Sequence, residues 1–376
     1  MATICFGNTA GGADVNIAFA GNVALAGTRI VSEGAGDDSI ALAYNEFTAD
    51  ANTTGLYHLN EAGWTGAANE IIDSSGNDRH GYRYSAGPDT AVAWLDRGGV
   101  FNANGVCRFS YGTIWPAKPC TVEWWNYSGI QSNRHIVAGS TWTNAMIVFT
   151  PDATHAKLAF YSGTQEYIYS NSAFLNNATD PEWIHSAIAF DNTETRFYRN
   201  GVAWGVGVAA TIAQGTYLVL GGYALANPTM QGTVDELRFS NIARYSSAFS
   251  PHRYVQGNGI IQYDFGAQQA LSNIAWNATE DGDWEGDIYQ IWVYDQVGAA
   301  WTQVGGNSPT SPIDLSASPI TIGGASLQDI IKVVQNPKAD TLQTETPKLL
   351  DMTLTYAAMI TTRPYYYREF VLRGAA

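Results

Sequence analysis

The run Trp183-Ile184-His185-Ser186-Ala187-Ile188-Ala189-Phe190, followed by Arg196-Phe197-Tyr198-Arg199-Asn200-Gly201-Val202-Ala203-Trp204, decides the fold class. After Trp183, the residues Ile184, Ser186, Ile188 and Phe190 alternate with the period of two that a strand imposes on its faces, and the run reads as a strand covered on both. The second part carries Asn200-Gly201, the strongest short-range hairpin signal, because a type I′ turn needs positive φ at both central positions. Val202 and Trp204 then start the returning strand.

The same texture extends outward in both directions. Residues 121–127 form a strand that places Val122 and Trp124 on one face and Glu123, Trp125 and Tyr127 on the other. Residues 217–220 end at Gly221-Gly222, and residues 233–239 form a strand carrying Asp235-Glu236. Further strands are expected at 260–265, 288–294, 301–304 and 349–356. The segment with Leu327, Ile330, Ile331 and Val334 has helical spacing, but its β-branched content and its end at Asn336-Pro337 assign it to a strand. The expected architecture is all-β, with two antiparallel β-sandwich jelly-roll domains at 53–255 and 256–358. An extended N-terminal arm at 1–52 precedes them, and a short aromatic C-terminal tail at 359–376 follows.

Composition narrows the function classes. Of 376 residues only 14% are charged, against roughly 25% in an average globular domain, while 12% are aromatic and 38 are glycine. With 34 acidic and 19 basic side chains the formal net charge is −15. Such a chain is repelled by phosphate backbones and anionic membranes, so nucleic acid and membrane insertion are not expected partners. No run approaches the roughly 18 apolar residues of a membrane helix, and the first residues lack the basic and apolar regions of a Sec-type leader. Three cysteines are too few for a disulfide scaffold. Cys107 and Cys120 read as buried thiols, with a bridge between neighbouring strands as the alternative.

Three stretches, in order, resemble the laminin-G-like or concanavalin A-like jelly-roll family. They are Gly55-Leu56-Tyr57-His58-Leu59-Asn60-Glu61 with Asp73-Ser74-Ser75-Gly76-Asn77, then Trp183-Ile184-His185 through Tyr198-Arg199-Asn200-Gly201, and finally Gly232-Thr233-Val234-Asp235-Glu236-Leu237. The resemblance implies a structural calcium between the Asp-x-Ser-Gly-Asn turn and the closing strand, held by Asp73, Asn77 and Asp235. The alternative is that Asp73 and Asn77 only build an Asx-type turn and Asp235 caps a backbone amide. The second module resembles a galactose-binding-type, discoidin-like sandwich through Tyr263-Asp264-Phe265-Gly266, Ile291-Trp292-Val293-Tyr294 and Trp301-Thr302-Gln303-Val304.

The motifs of catalysis are missing from the sequence. Glycoside hydrolases of the concanavalin A-like fold place carboxylates alternately along one strand, and no Glu-x-Asp-x-x-Glu run occurs. Asp235 and Glu236 are adjacent, which on a regular strand sends them to opposite faces. No Gly-x-Ser-x-Gly elbow and no phosphate-cradling loop is present. The cluster Asp281, Asp283, Glu285 and Asp287 imitates the start of an EF-hand, but its twelfth position is Trp292, so it reads as a solvated acidic loop. Trp64, Trp142 and Tyr223 lie in loop-like contexts and are the candidates for stacking on sugar rings, with burial in a core or protein interface as the alternative.

The combination is similar to a bacteriophage virion protein assembled in the host cytoplasm. The expectation is a non-catalytic, homo-oligomeric, tail-associated adhesin that contacts other virion proteins and a host surface glycan. The alternatives are a capsid or tail decoration protein without a sugar ligand, and an exported bacterial carbohydrate-binding protein at the cell surface or secreted.

Overall fold

A computed structural model describes residues 2–7, 15–17, 28–34, 37–102, 105–110, 115–128, 134–139, 146–151, 156–162, 168–170, 174–175, 182–208, 211–212, 216–224, 227–228, 230–253, 258–263, 267–279, 284–306, 313–323, 328–337 and 348–358. Among these residues every regular element is a β-strand. The chain divides into two compact units: Asn45–Arg253, and a discontinuous unit made of Met1–Tyr44 with Tyr254–Ala376.

The unit Asn45–Arg253 is a sandwich of two antiparallel sheets. The first runs Val202–Val208, Glu194–Arg199, Glu182–Phe190, Cys120–Ser128, Gln231–Ser240, Asp96–Asn102 and Asp89–Ala93, with Thr53–Tyr57 also paired to Gln231–Ser240. The second runs Ile168–Tyr169, Ala156–Tyr161, Met146–Pro151, Arg134–Ala138, Tyr217–Leu220, Cys107–Ser110 and Gly81–Arg83. Alternation fills the space between them. Val122, Trp124, Ile184, Ile188, Phe190, Val234, Leu237 and Phe239 from the first sheet share one core with Phe109, Ile136, Ile147, Phe149, Leu158 and Phe160 from the second. Phe160 and Phe190 meet across this core at 4.7 Å, and Trp115 packs against both and against Phe239.

The hairpin forms at Asn200-Gly201, with φ of 49° and 74°. Asn200 closes it by accepting the amide of His185 on its side-chain oxygen and donating its own amide to the His185 carbonyl. Gly201 is required for space as well as for its dihedral. A Cβ there would lie 1.9 Å from the Phe249 carbonyl oxygen, whose residue donates its amide to the Gly201 carbonyl. Cys107 and Cys120 are free, buried thiols on strands of opposite sheets. Burial raises both thiols, Cys120 to about 12.

The discontinuous unit corrects the expectation of an N-terminal arm. Ala2–Phe6 pairs antiparallel with Lys348–Ala358 and parallel with Val15–Ile17, while Asp37–Leu42 pairs with both Thr28–Gly34 and Lys348–Ala358. Phe6 and Cys5 are buried. Ala2–Phe6 and Asp37–Leu42 become strands because their backbone groups find a ladder in Lys348–Ala358, and Val15–Ile17 and Thr28–Gly34 pair onto them in turn. The same sheet holds Gln269–Thr279, Ile313–Asp314 and Ile320–Ile322. A four-stranded sheet is ordered Asn258–Tyr263, Gln328–Pro337, Trp284–Asp295 and Ala300–Gly306, so the helically spaced segment is indeed an interior strand. The tail 359–376 lies outside the described residues.

Candidate functional site

The outer face of the first sheet, the side away from the sandwich core, carries a group of titratable and aromatic side chains buried or half-buried beneath flanking chain. Strand Cys120–Ser128 sends Glu123, Trp125 and Tyr127 there, and Glu182–Phe190 adds Trp183 and His185 as their cross-strand neighbours. Two flanking segments lie over this layer. Tyr245 and Phe249 stack at 3.6 Å and pack on Ala187, Ala189 and Tyr198, while Phe47 meets the His185 ring edge-on.

The strand Gln231–Ser240 breaks its own alternation. Trp125 pairs with Asp235 and Glu123 with Arg238, so two residues, Glu236 and Leu237, stand opposite the single Trp124. Glu236 takes a φ of 53°, the left-handed conformation of a β-bulge. Val234 and Leu237 both reach the core, which puts Asp235 and Glu236 together on the outer side. The inference that these neighbours face opposite ways therefore fails, because the strand is not regular where they sit.

Two carboxyl clusters result. In the first, fully buried Glu123 accepts from Arg238 at 2.8 and 2.9 Å and from the Tyr245 hydroxyl at 2.5 Å. His185 Nε2 approaches it at 3.4 Å, without hydrogen-bond alignment, and Arg244 at 3.9 Å. Burial works to raise this carboxyl, but His185, the Arg238 charge and the Tyr245 hydroxyl outweigh it and bring it down to about 2. Burial together with the Glu123 charge pushes Tyr245 up, so it stays a donor.

In the second cluster, Glu236 Oε1 lies 2.6 Å from His58 Nδ1 and Oε2 accepts the Phe47 amide at 2.7 Å. Glu46, His58 and Glu236 each offer a ligand atom, all within 4.8 Å of one another. Burial raises Glu236, with His58 only partly offsetting it. Burial opposes charge on His58 too, but the Glu236 hydrogen bond and the charges of Glu236, Glu46 and Glu61 leave the imidazole raised. Asp235 is also fully buried. Its Oδ2 accepts the Leu95 amide at 2.7 Å while Oδ1 has no partner, and burial, with Glu236 and Glu46 adding to it, holds this carboxyl well above the usual range.

The expected calcium ligands are held by different partners. Asp73 accepts the amides of Leu56, Ser75 and Arg79, the geometry of an Asx-type turn tied to a strand. Asn77 is exposed and donates to the Thr53 carbonyl and Ser75 hydroxyl. Asp235 serves Leu95 instead, so the structure does not join the three in one cluster. The groups that do converge, Glu46 and His58, were missed by sequence reasoning. Nothing local in the sequence marks them, since the bulge and the strand pairing bring them together.

Trp64 is not a surface ring. It is 2% exposed, belongs to the core beside Phe101, and donates its indole N–H to Glu61. Its loop fits inward because Gly99 leaves room, a Cβ there falling 2.6 Å from the indole. Trp142 lies outside the described residues. Tyr223 is on the short strand Gly222–Ala224. The acidic run at 281–287 lies partly outside the described residues, and its remaining part, with Glu285 and Asp287, is in strand Trp284–Asp295.

An aromatic surface unmarked by the sequence reading lies at the end of the outer face. Tyr127 is 39% exposed and sits 5.4 Å from half-buried Trp183. Trp183 stacks at 5.7 Å on Trp94, which packs on Trp125 and lies under the Arg253 guanidinium at 4.4 Å. Thr233 is the cross-strand neighbour of Tyr127 on the same face. Their strand alternation is visible in the sequence, but the gap in the cover above them is not.

Compared with protein families, residues 101–248 match the Laminin_G_3 family of the concanavalin A-like lectin/glucanases superfamily. No curated protein matches the chain. Among solved structures, domain 4 of AbnA, a GH43 extracellular arabinanase from Geobacillus stearothermophilus in complex with arabinotriose, is 18% identical. That match covers 51% of this chain and 93% of the other at a TM-score of 0.41. The binding domain of Paraclostridial Mosquitocidal Protein 1 is 12% identical over 70% of each chain, with a TM-score of 0.40. A heptameric SAP-like pentraxin from Limulus polyphemus is 15% identical over 35% of this chain and 67% of its own, with a TM-score of 0.29.

Proposed function

We propose that this chain, which carries a concanavalin A-like lectin/glucanase jelly-roll domain, is a non-catalytic glycan-binding adhesion protein. The observation that carries the reading is the half-exposed Tyr127–Trp183 pair backed by Trp94. Aromatic faces stack on the apolar faces of sugar rings, and the Thr233 hydroxyl stands beside them for a sugar hydroxyl. The non-catalytic part is supported by Glu123, Asp235 and Glu236, the carboxyls gathered on this face, which are buried beneath flanking chain and so are not presented to a bond to be cleaved. The finer placement is a tail-associated adhesin of a phage particle, oligomeric and attached to other virion proteins, with an exported bacterial binder as the alternative.

A decoration role without sugar has one observation in its favour. The edge strand Val202–Val208 exposes Val202 and Val206, 55% and 57% accessible, and an open apolar edge suits contact with another chain. A glycan array probed with the full chain separates these readings. The adhesin reading expects retention on a defined set of oligosaccharides that Trp183→Ala abolishes, with no reducing ends released. Absence of binding to every glycan, together with co-sedimentation with particles, would favour decoration; release of sugar would overturn the non-catalytic reading.

A further inference from the structure

We propose that Glu46, His58 and Glu236 bind a divalent transition cation of the zinc class. The three come from separate segments. The bulge turns Glu236 outward, Thr53–Tyr57 pairs with Gln231–Ser240 and so delivers His58 beside it, and the amide of Phe47 binds Glu236 and fixes its neighbour Glu46. Their donor atoms already lie within 4.8 Å of one another. The 2.6 Å contact between His58 Nδ1 and Glu236 Oε1 holds a proton that a cation would replace.

Charge supplies an independent argument. Among the described residues, the carboxyls of Glu46, Glu236 and Asp235 stand together with the His58 imidazole, while the guanidinium of nearby Arg238 is engaged by Glu123, the Phe47 ring and the Thr48 carbonyl. Asp235 also keeps one buried carboxylate oxygen with no partner beside this cluster. Buried carboxylates without compensation are costly, and a bound dication removes that cost. The donor set decides the class. One imidazole nitrogen with carboxylate oxygens suits zinc or its first-row neighbours, whereas calcium and magnesium take oxygen ligands throughout. This site is distinct from the calcium expected at Asp73 and Asn77, and it does not depend on sugar binding.

The test uses the full chain, stripped with chelator and then titrated with zinc, with calcium in parallel. Wild-type protein is expected to take up one equivalent of zinc and to melt at higher temperature on doing so, with no matching response at this site to calcium. Glu46→Gln, at a partly exposed position and with its melting temperature in the metal-free state checked against the wild type, should weaken zinc binding by about tenfold or more. Cobalt(II) should give visible ligand-field bands that shift or vanish in His58→Asn. No zinc uptake by the wild type, or a zinc affinity of Glu46→Gln equal to that of the wild type, would overturn the proposal; so would a cobalt spectrum unchanged by His58→Asn.

Discussion

Glu123 and Glu236 sit on the same face of the same sheet, both buried, and they behave in opposite ways. Glu123 is surrounded by Arg238, Arg244, Tyr245 and His185, and its carboxyl falls to about 2. Glu236 has one imidazole and two neighbouring carboxyls, and burial raises it. The difference teaches that burial alone does not set the role of a carboxylate on this fold; the number of cations facing it does. One cluster locks the covering segment to the sheet. The other holds negative charge that a proton or a cation must relieve.

The largest effect that tests this contrast is expected from Glu123→Ala. It strands Arg238 beneath the cover and should cost about 3–5 kcal/mol in urea unfolding; a loss below about 1 kcal/mol would mean that the cluster does not hold the layer together. Gly201→Ala should follow, at roughly 1–3 kcal/mol for a strained left-handed position. Because a Cβ there collides with the Phe249 carbonyl, the loss should be accompanied by faster hydrogen exchange in residues 241–253. Unchanged exchange there would detach the hairpin tip from the cover.

Acid gives the sharpest sign test of the contrast. Glu123, depressed to about 2, contributes stability that is present above the ordinary carboxyl range near 4.5 and is lost as pH falls toward 2. Asp235 and Glu236 are raised, so the folded state binds more protons than the unfolded chain above that range, and their contribution weakens as pH rises. Asp235→Asn keeps an acceptor for the Leu95 amide and removes the charge. In metal-free protein it should therefore raise the melting temperature slightly at pH 7 and have little effect at pH 4. A drop in stability at pH 7 would show that this carboxylate is well compensated after all.

Much of the fold was legible because alternation and turn chemistry act locally. The runs around Trp124, Ile188 and Leu237 and the Asn200-Gly201 turn declared their strands. What was not legible depends on pairing across distance. Ala2–Phe6 looks like part of a polar arm until Lys348–Ala358 lies beside it. Trp64 sits in a Gly-rich loop, and its burial depends on the room left by Gly99. The second cluster was hidden for a similar reason. A bulge at Glu236 needs a left-handed residue, usually Gly or Asn, and a glutamate gives no such warning. The Asp-x-Ser-Gly-Asn turn suggests calcium ligands by residue type alone, and in the structure its aspartate gives both oxygens to backbone amides. The aromatic patch followed the expected alternation of Tyr127 and Trp183, while their exposure depends on where the covering segments stop.

Titration calorimetry of wild type and Tyr127→Ala with an oligosaccharide selected on the array tests the central claim most directly, provided both proteins show the same melting temperature. The account predicts saturable binding by the wild type, a loss of about tenfold or more in affinity for the variant, equivalent to about 1.4 kcal/mol or more, and intact oligosaccharide afterwards. Equal affinity in the two proteins, or recovery of cleaved sugar, would contradict it.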